Sequence, residues 1–314
     1  MLTLAAVCAG AVALPAGVAP AASTRVPACF GAAARDAAHP CKNPALYFSV
    51  TPRPDDALLQ PSSPCTILPT KAPPSRVCAF GVSKQRAVAT IGLLGDSHAP
   101  AWRAAVDHLA RAQRWRGLTV RRSSCPFSFA QHYVEKAAAD ACFDWVRASI
   151  RFFAHHPEIK TVFIVNSAAY RWKPVRGLDP HAAAVEGYRS ALSSLPASVK
   201  RIVILRDNPE AAGTTAACVE RARSRGWRPD TRCAMPRATA LEPDELADAA
   251  ASMGSDRLRT IDLTRFFCDD ALCYPVVGGA LVYKDTSHIT MTYSATLGPY
   301  LLADYRALGL PPTT

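Results

Sequence analysis

The chain has 314 residues, 49% hydrophobic and only 19% charged, which excludes an intrinsically disordered protein and leaves room for one large α/β domain or two small ones. Lys and Arg number 36 against 25 Asp and Glu, a net charge of +11, and 26 prolines beside 16 glycines point to stiffened loops rather than a collagen repeat. Eleven cysteines are too many for a typical cytosolic enzyme of this size and favour an oxidising compartment.

Residues 1–24 carry no charged side chain and end in the small-residue stretch Ala19-Pro20-Ala21-Ala22-Ser23. This segment reads as a signal peptide, although it does not open with Lys or Arg, or as a residual transmembrane segment weakened by Pro15 and Pro20. Both readings place the rest of the chain outside the cytoplasm; a buried apolar N-terminus is the bland alternative. Cys8 lies inside it. Residues 25–85 are rich in Pro and Cys without a sustained period, which predicts a stapled, loop-like extension rather than a flexible linker. The other ten cysteines are Cys29, Cys41, Cys65, Cys78, Cys125, Cys142, Cys218, Cys233, Cys268 and Cys273. Many connectivities are open; sequential pairing gives the shortest loops. No Cys-x-x-Cys occurs, and His155-His156 lacks the spacing of a helical metal motif, so neither a metal nor a cofactor is expected.

From residue 86 the pattern changes. Continuous apolar runs predict buried strands at 87–94, 161–165, 201–205 and 258–263, with a shorter strand at 118–121. Helical spacing predicts helices at 100–115, 142–154, 181–192, 242–253 and 291–308, the last interrupted at Pro299. Strands alternating with helices imply a three-layer α/β/α sandwich with a parallel sheet over residues 86–314.

In such sheets ligands sit at the carboxyl ends of the strands. The first strong strand ends in Gly95-Asp96-Ser97-His98, which puts Ser97 at a helix N-terminus, where backbone N–H groups stabilise negative charge. A serine hydroxyl needs a base, and the base needs an orienting carboxylate. Asp285-Thr286-Ser287-His288, just before the final helix, offers both within one turn. Taken singly, Ser97 is an ordinary helix cap, His288 a structural histidine and Asp285 a loop residue; together they suit a nucleophile, its base and the base's partner. His98 reads as structural, with contact to the substrate as the alternative.

These residues resemble the SGNH/GDSL family of hydrolases and acyltransferases. Leu93-Leu94-Gly95-Asp96-Ser97-His98 with Trp102, Ser124-Cys125-Pro126, Cys142-Phe143-Asp144-Trp145, Asp262-Leu263-Thr264 and Tyr283-Lys284-Asp285-x-x-His288-Ile289-Thr290 are similar to the SGNH domain fused to acyltransferase-3 membrane proteins, which O-acetylate bacterial surface glycans. Cys218, Cys233, Cys268 and Cys273 belong to the same likeness, which spans roughly residues 75–310. It implies a flavodoxin-like SGNH domain with Ser97 as nucleophile, His288 as base, Asp285 as its partner and the Ser97 backbone N–H as an oxyanion donor. Ser124 and Asn166 stand where the family places further donors, but without its usual glycine block and Gly-x-Asn-Asp context.

The expected activity is extracytoplasmic O-acyl transfer from an acyl donor to a glycan acceptor. The same residues would serve a carbohydrate O-acetyl esterase, and a non-catalytic envelope module that binds glycan or a partner is the rival from another class. Only one partial apolar stretch is present, against about ten spans of ~20 residues in an acyltransferase-3 domain, so transfer calls for a separate membrane acyltransferase-3 partner or an upstream extension of the gene. Two Arg clusters, 111–122 around Trp115 and 221–232 around Trp227, read as solvated faces or as attraction to anionic envelope polymers. Nucleic acid is not an expected partner of an exported chain.

Overall fold

In the computed structural model, residues 26–70, 74 and 77–310 are described; the expected leader at 1–24, with Cys8, lies outside them. Short apolar runs between turns form the strands β1 (Thr66–Leu68), β2 (Val77–Gly81), β3 (Ala89–Gly95), β4 (Trp115–Arg121), β5 (Ile159–Val165), β6 (Arg201–Leu205) and β7 (Leu258–Ile261). Amphipathic or Ala-rich stretches form the helices α1 (His98–Ala112), α2 (Lys136–His155), α3 (Pro180–Ser193), α4 (Thr215–Ser224), α5 (Glu245–Ser252) and α6 (Met291–Ala307), with shorter helical turns between them.

The strands make one sheet in the order β1-β2-β4-β3-β5-β6-β7. β3 to β7 run parallel, whereas β2 is antiparallel to β4 and β1 to β2. The sheet is therefore mostly, not wholly, parallel. Both antiparallel strands come from the 25–85 segment read from sequence as loop; β1 has three residues, β2 shows neither alternation nor a continuous buried run, and the Cys65–Cys78 disulfide holds them together. From β3 the chain passes to β4 on one side and then crosses back to β5 on the other. Such a reversal opens a crevice at the carboxyl ends of β3 and β5.

Alternate side chains of β5 divide between the faces. Phe163 and Val165 join Ile91, Leu93, Trp102, Leu109, Leu297 and Leu301 under α1 and α6. Val162 and Ile164 join Leu94, Trp145, Val146, Phe153, Tyr188 and Leu246 under α2, α3 and α5. Burying both faces explains why these strands read as continuous apolar runs.

Some elements differ from the sequence expectation. Trp115 opens β4 rather than closing a helix, because the chain turns at Arg114 with φ +57°. Pro299 stays inside α6: Tyr293, Leu297 and Leu301 are buried around it, and the packing outweighs the lost backbone hydrogen bond. α4 was not expected; its Arg-rich sequence has weak periodicity, and the Cys218–Cys233 disulfide with buried Val219 and Ala222 holds it. The remaining disulfides are Cys29–Cys41, Cys125–Cys142 and Cys268–Cys273. Among the described residues no helix is long and apolar enough to cross a membrane.

Candidate active site

The turn after β3 admits only glycine at its first position. Gly95 has φ +156°, and a Cβ there would collide with the Val165 carbonyl oxygen on the neighbouring strand. The next residue, Asp96, is fully buried and spends its carboxylate on the local backbone. Its Oδ1 accepts the His98 N–H at 2.7 Å, and its Oδ2 accepts the Ser167 N–H at 2.8 Å and the Tyr170 hydroxyl at 2.9 Å. Asp96 thus ties the β3 turn to the β5 turn across the crevice. Ser97 opens α1, yet its hydroxyl makes no capping hydrogen bond to that helix. The capping explanation of this serine therefore fails.

His98 points inward, 1% exposed, with Nδ1 2.6 Å from Asp207 Oδ1. Burial alone would push its imidazolium down, but the Asp207 carboxylate, with Asp96 and Asp285 behind it, pushes it up to about 9. The other Asp207 oxygen accepts the Ala168 N–H, and the Asp207 N–H donates to Asp244. A buried network thus links the turns after β3, β5 and β6 beneath Ser97. His98 is thus held in a buried pair with Asp207. Asp207 escaped notice, although its place just beyond an apolar strand was the available signal.

The second half of the site arrives through a helix pair. Ala105 N–H donates to Ser294 Oγ, and Gly298 lets α6 close against His108, so α1 and α6 run side by side in the same direction. Their N-termini are therefore neighbours. Thr290 caps α6 by accepting the Tyr293 N–H, and the loop before it carries Asp285 and His288. That loop is pinned by Asn208 Nδ2 donating to the Ser287 carbonyl and Ala211 N–H donating to the Thr286 carbonyl.

His288 Nδ1 lies 3.0 and 2.9 Å from the two Asp285 oxygens, and Asp285 Oδ1 also accepts the Ser287 and His288 N–H groups. Burial raises the Asp285 carboxyl, but these hydrogen bonds outweigh it and hold the group well below the usual carboxylate range. Asp285 stays ionised and accepts a hydrogen bond from the Nδ1–H of His288, which leaves Nε2 as the basic nitrogen. The rings of His98 and His288 are 4.8 Å apart between centroids, so the buried network reaches the loop as well.

Ser97, Asp285 and His288 line one cleft of about 240 Å³. Pro61 and Ser62 form part of its wall, so the N-terminal segment completes the site. That wall is anchored by Gln60 Nε2 donating to Thr292 Oγ1 and by the Arg103 guanidinium donating to the Ser63 carbonyl. Arg121, Ser123 and Lys284 also face the cleft. Arg121 belongs to the cluster read from sequence as a solvated face or an attractor of anionic polymers, and its place in the cleft lining was not expected. Neither Ser124 nor Asn166 lines the cleft. Ser124 is exposed in a turn at φ +57°; Asn166 is 2% exposed, and its Oδ1 accepts the Phe127 N–H at 3.3 Å.

A doubly wound sheet with a Gly-Asp-Ser turn at its crevice and an Asp-x-x-His loop beside it is the arrangement of SGNH proteins. The family model described as "SGNH domain (fused to AT3 domains)" matches residues 64–303, and the chain belongs to that family. Among solved structures it is similar to the "Structure of Salmonella ser. Paratyphi A lipopolysaccharide acetyltransferase periplasmic domain", at 13% identity and a TM-score of 0.49 over 73% of this chain and 90% of that one. Comparison with curated proteins returns no match.

Proposed function

We propose that this protein is an extracytoplasmic serine O-acyltransferase that moves an acetyl group onto a glycan hydroxyl through an acyl-Ser97 intermediate. One observation carries the reading: an uncapped serine at a helix N-terminus shares a cleft with a histidine whose Nδ1 is held by both oxygens of an ionised aspartate. Family membership supports it, since the family model is named for fusion to AT3 domains. Five disulfides support a compartment outside the cytoplasm.

His288 Nε2 takes the Ser97 hydroxyl proton as Oγ bonds to the acyl carbon. The tetrahedral oxyanion rests on the Ser97 N–H at the positive end of α1. When the donor C–O bond breaks, His288 passes its proton to the leaving oxygen. A sugar hydroxyl then gives its proton to His288 and attacks the acyl carbon, and Ser97 recovers its proton as the acyl–Oγ bond breaks. Water in place of the sugar makes the same residues an esterase. A membrane acyltransferase-3 protein would supply the acyl donor.

The test uses the oxidised protein with a fluorophosphonate probe and p-nitrophenyl acetate, beside Ser97→Ala and His288→Ala. The reading expects labelling and acetate release that both variants abolish. Labelling and turnover equal in all three proteins would overturn it.

A further inference from the structure

We propose that Asp207 and Asn208, consecutive residues beyond β6, form a clamp that sets the reach of His288 to Ser97, with Asn208 as a positioning residue for the reaction. This rests on the acyl-transfer reading and adds a residue to its machinery. General-base catalysis needs the basic histidine nitrogen within hydrogen-bond reach of the serine hydroxyl, and a misplacement of about 1 Å costs on the order of 10²-fold. Ser97 and His288 stand on segments far apart in the chain. The base loop closes on itself: the Lys284 N–H donates to the His288 carbonyl at 3.0 Å, and Asp285 holds the His288 ring. These bonds fix the shape of the loop and the direction of the ring, but not their distance from Ser97.

Two neighbouring side chains bridge that distance. Asp207 Oδ1 lies 2.6 Å from Nδ1 of His98, the residue after the nucleophile. Asn208 Nδ2 donates at 2.7 Å to the carbonyl of Ser287, the residue before the base. A short path therefore runs from His98 through residues 207 and 208 to Ser287. The clamp is itself anchored: Asp207 Oδ2 accepts the Ala168 N–H at 2.9 Å, the Asp207 N–H donates to Asp244 at 2.9 Å, and the Arg206 N–H donates to the Ile261 carbonyl of β7. Asn208 is 3% exposed, and its amide nitrogen faces a second carbonyl, that of Pro209, at 3.0 Å. Two carbonyl oxygens call for a donor of two protons, which fixes the orientation of the amide and which no apolar side chain supplies. Asn208 Oδ1 is buried and has no hydrogen-bond partner among the described residues. An acceptor left in that state is unfavourable, so the contribution of this side chain lies at its nitrogen end, on the base loop. A second tie comes from the backbone, where the Ala211 N–H donates to the Thr286 carbonyl at 2.7 Å. It keeps the loop against the sheet when Asn208 is truncated, so the expected loss is one of alignment rather than of the fold.

The experiment compares Asn208→Ala, the bulkier apolar Asn208→Leu and, as a control away from the cleft, Ser149→Ala, which removes a buried hydroxyl bonded to the Trp145 carbonyl. Each oxidised protein is assayed with p-nitrophenyl acetate and with a fluorophosphonate probe, and urea unfolding shows which variants fold; either Asn208 variant suffices. Long-range ¹H–¹⁵N NMR reads the tautomer of the His288 ring, assigned by its absence in His288→Ala. The proposal expects kcat and the labelling rate to fall on the order of 10²-fold when Asn208 is replaced, with little change in KM. The His288 ring should keep its proton on Nδ1, because Asp285 still holds it. Ser149→Ala should keep the wild-type kcat. A kcat within about threefold of wild type in the Asn208 variants, an equal fall in Ser149→Ala, a loss carried by KM alone, or an altered His288 tautomer would overturn it. Labelling of the wild-type protein separates the two claims. No labelling there sinks the acyl-transfer reading, whereas labelling that the Asn208 variants leave intact sinks this inference alone.

Discussion

The buried His98–Asp207 pair beside Ser97 makes the stability of the fold depend on pH in a calculable way. His98 holds its proton to about pH 9 in the folded protein, because the attraction of Asp207 at 2.6 Å outweighs burial. An unfolded histidine releases it near 6.5. The fold binds this proton more tightly, so the stabilisation is complete below about pH 6.5 and is lost as pH rises through about 9. The difference corresponds to about 3 kcal/mol. Asp207→Asn keeps the shape of the side chain and removes the charge that raises His98. Urea unfolding of the disulfide-intact protein at intervals from pH 6 to 9.5 measures the effect. Wild-type stability should fall by about 3 kcal/mol across that window relative to the variant, whose profile should be nearly flat there. Parallel profiles for the two proteins would refute the reasoning, whatever their absolute stabilities.

Other consequences follow from the same geometry. Asp285→Asn should lower kcat for p-nitrophenyl acetate by about 10³–10⁴ with little change in KM, because the amide no longer holds the His288 tautomer that leaves Nε2 basic. Gly95→Ala should destabilise the fold by about 3 kcal/mol or more in chemical denaturation, since the new methyl meets the Val165 carbonyl at positive φ. Replacing Cys125 and Cys142 together by Ala should cost about 2–4 kcal/mol, as their loop spans 17 residues. Replacing Cys65 and Cys78 instead should loosen the Pro61–Ser62 wall and raise KM for glycan acceptors more than it lowers kcat for p-nitrophenyl acetate.

The central fold was legible because it is made of local patterns. The β5 and β6 runs are apolar on both faces, Ser97 follows the similar β3 run, and the Asp285–His288 pair lies just before helix α6. What escaped depends on contacts between distant segments. β1 has three residues and β2 shows no clear alternation; β2 exists as a strand by pairing with β4, and β1 by pairing with β2. Pro61 and Ser62 reach the cleft because Gln60 and Ser63 are anchored to Thr292 and Arg103. Arg121 looked like one of several clustered arginines until register with Gly95 placed it beside the Ser97 turn. Members of the second cluster sit elsewhere, Arg228 on Asp230 and the Tyr47 ring, Arg225 and Arg232 on Trp227. Sequence spacing alone could not separate these two fates.

The central claim is the acyl-Ser97 intermediate, and direct capture tests it most sharply. The protein is mixed with p-nitrophenyl acetate, quenched in acid within the first turnovers, digested and read by peptide mass spectrometry. The account predicts an acetyl group on the peptide containing Ser97, absent in Ser97→Ala and strongly reduced in His288→Ala. Acetate release that continues in Ser97→Ala, or an acetyl group found only on other residues, would contradict it.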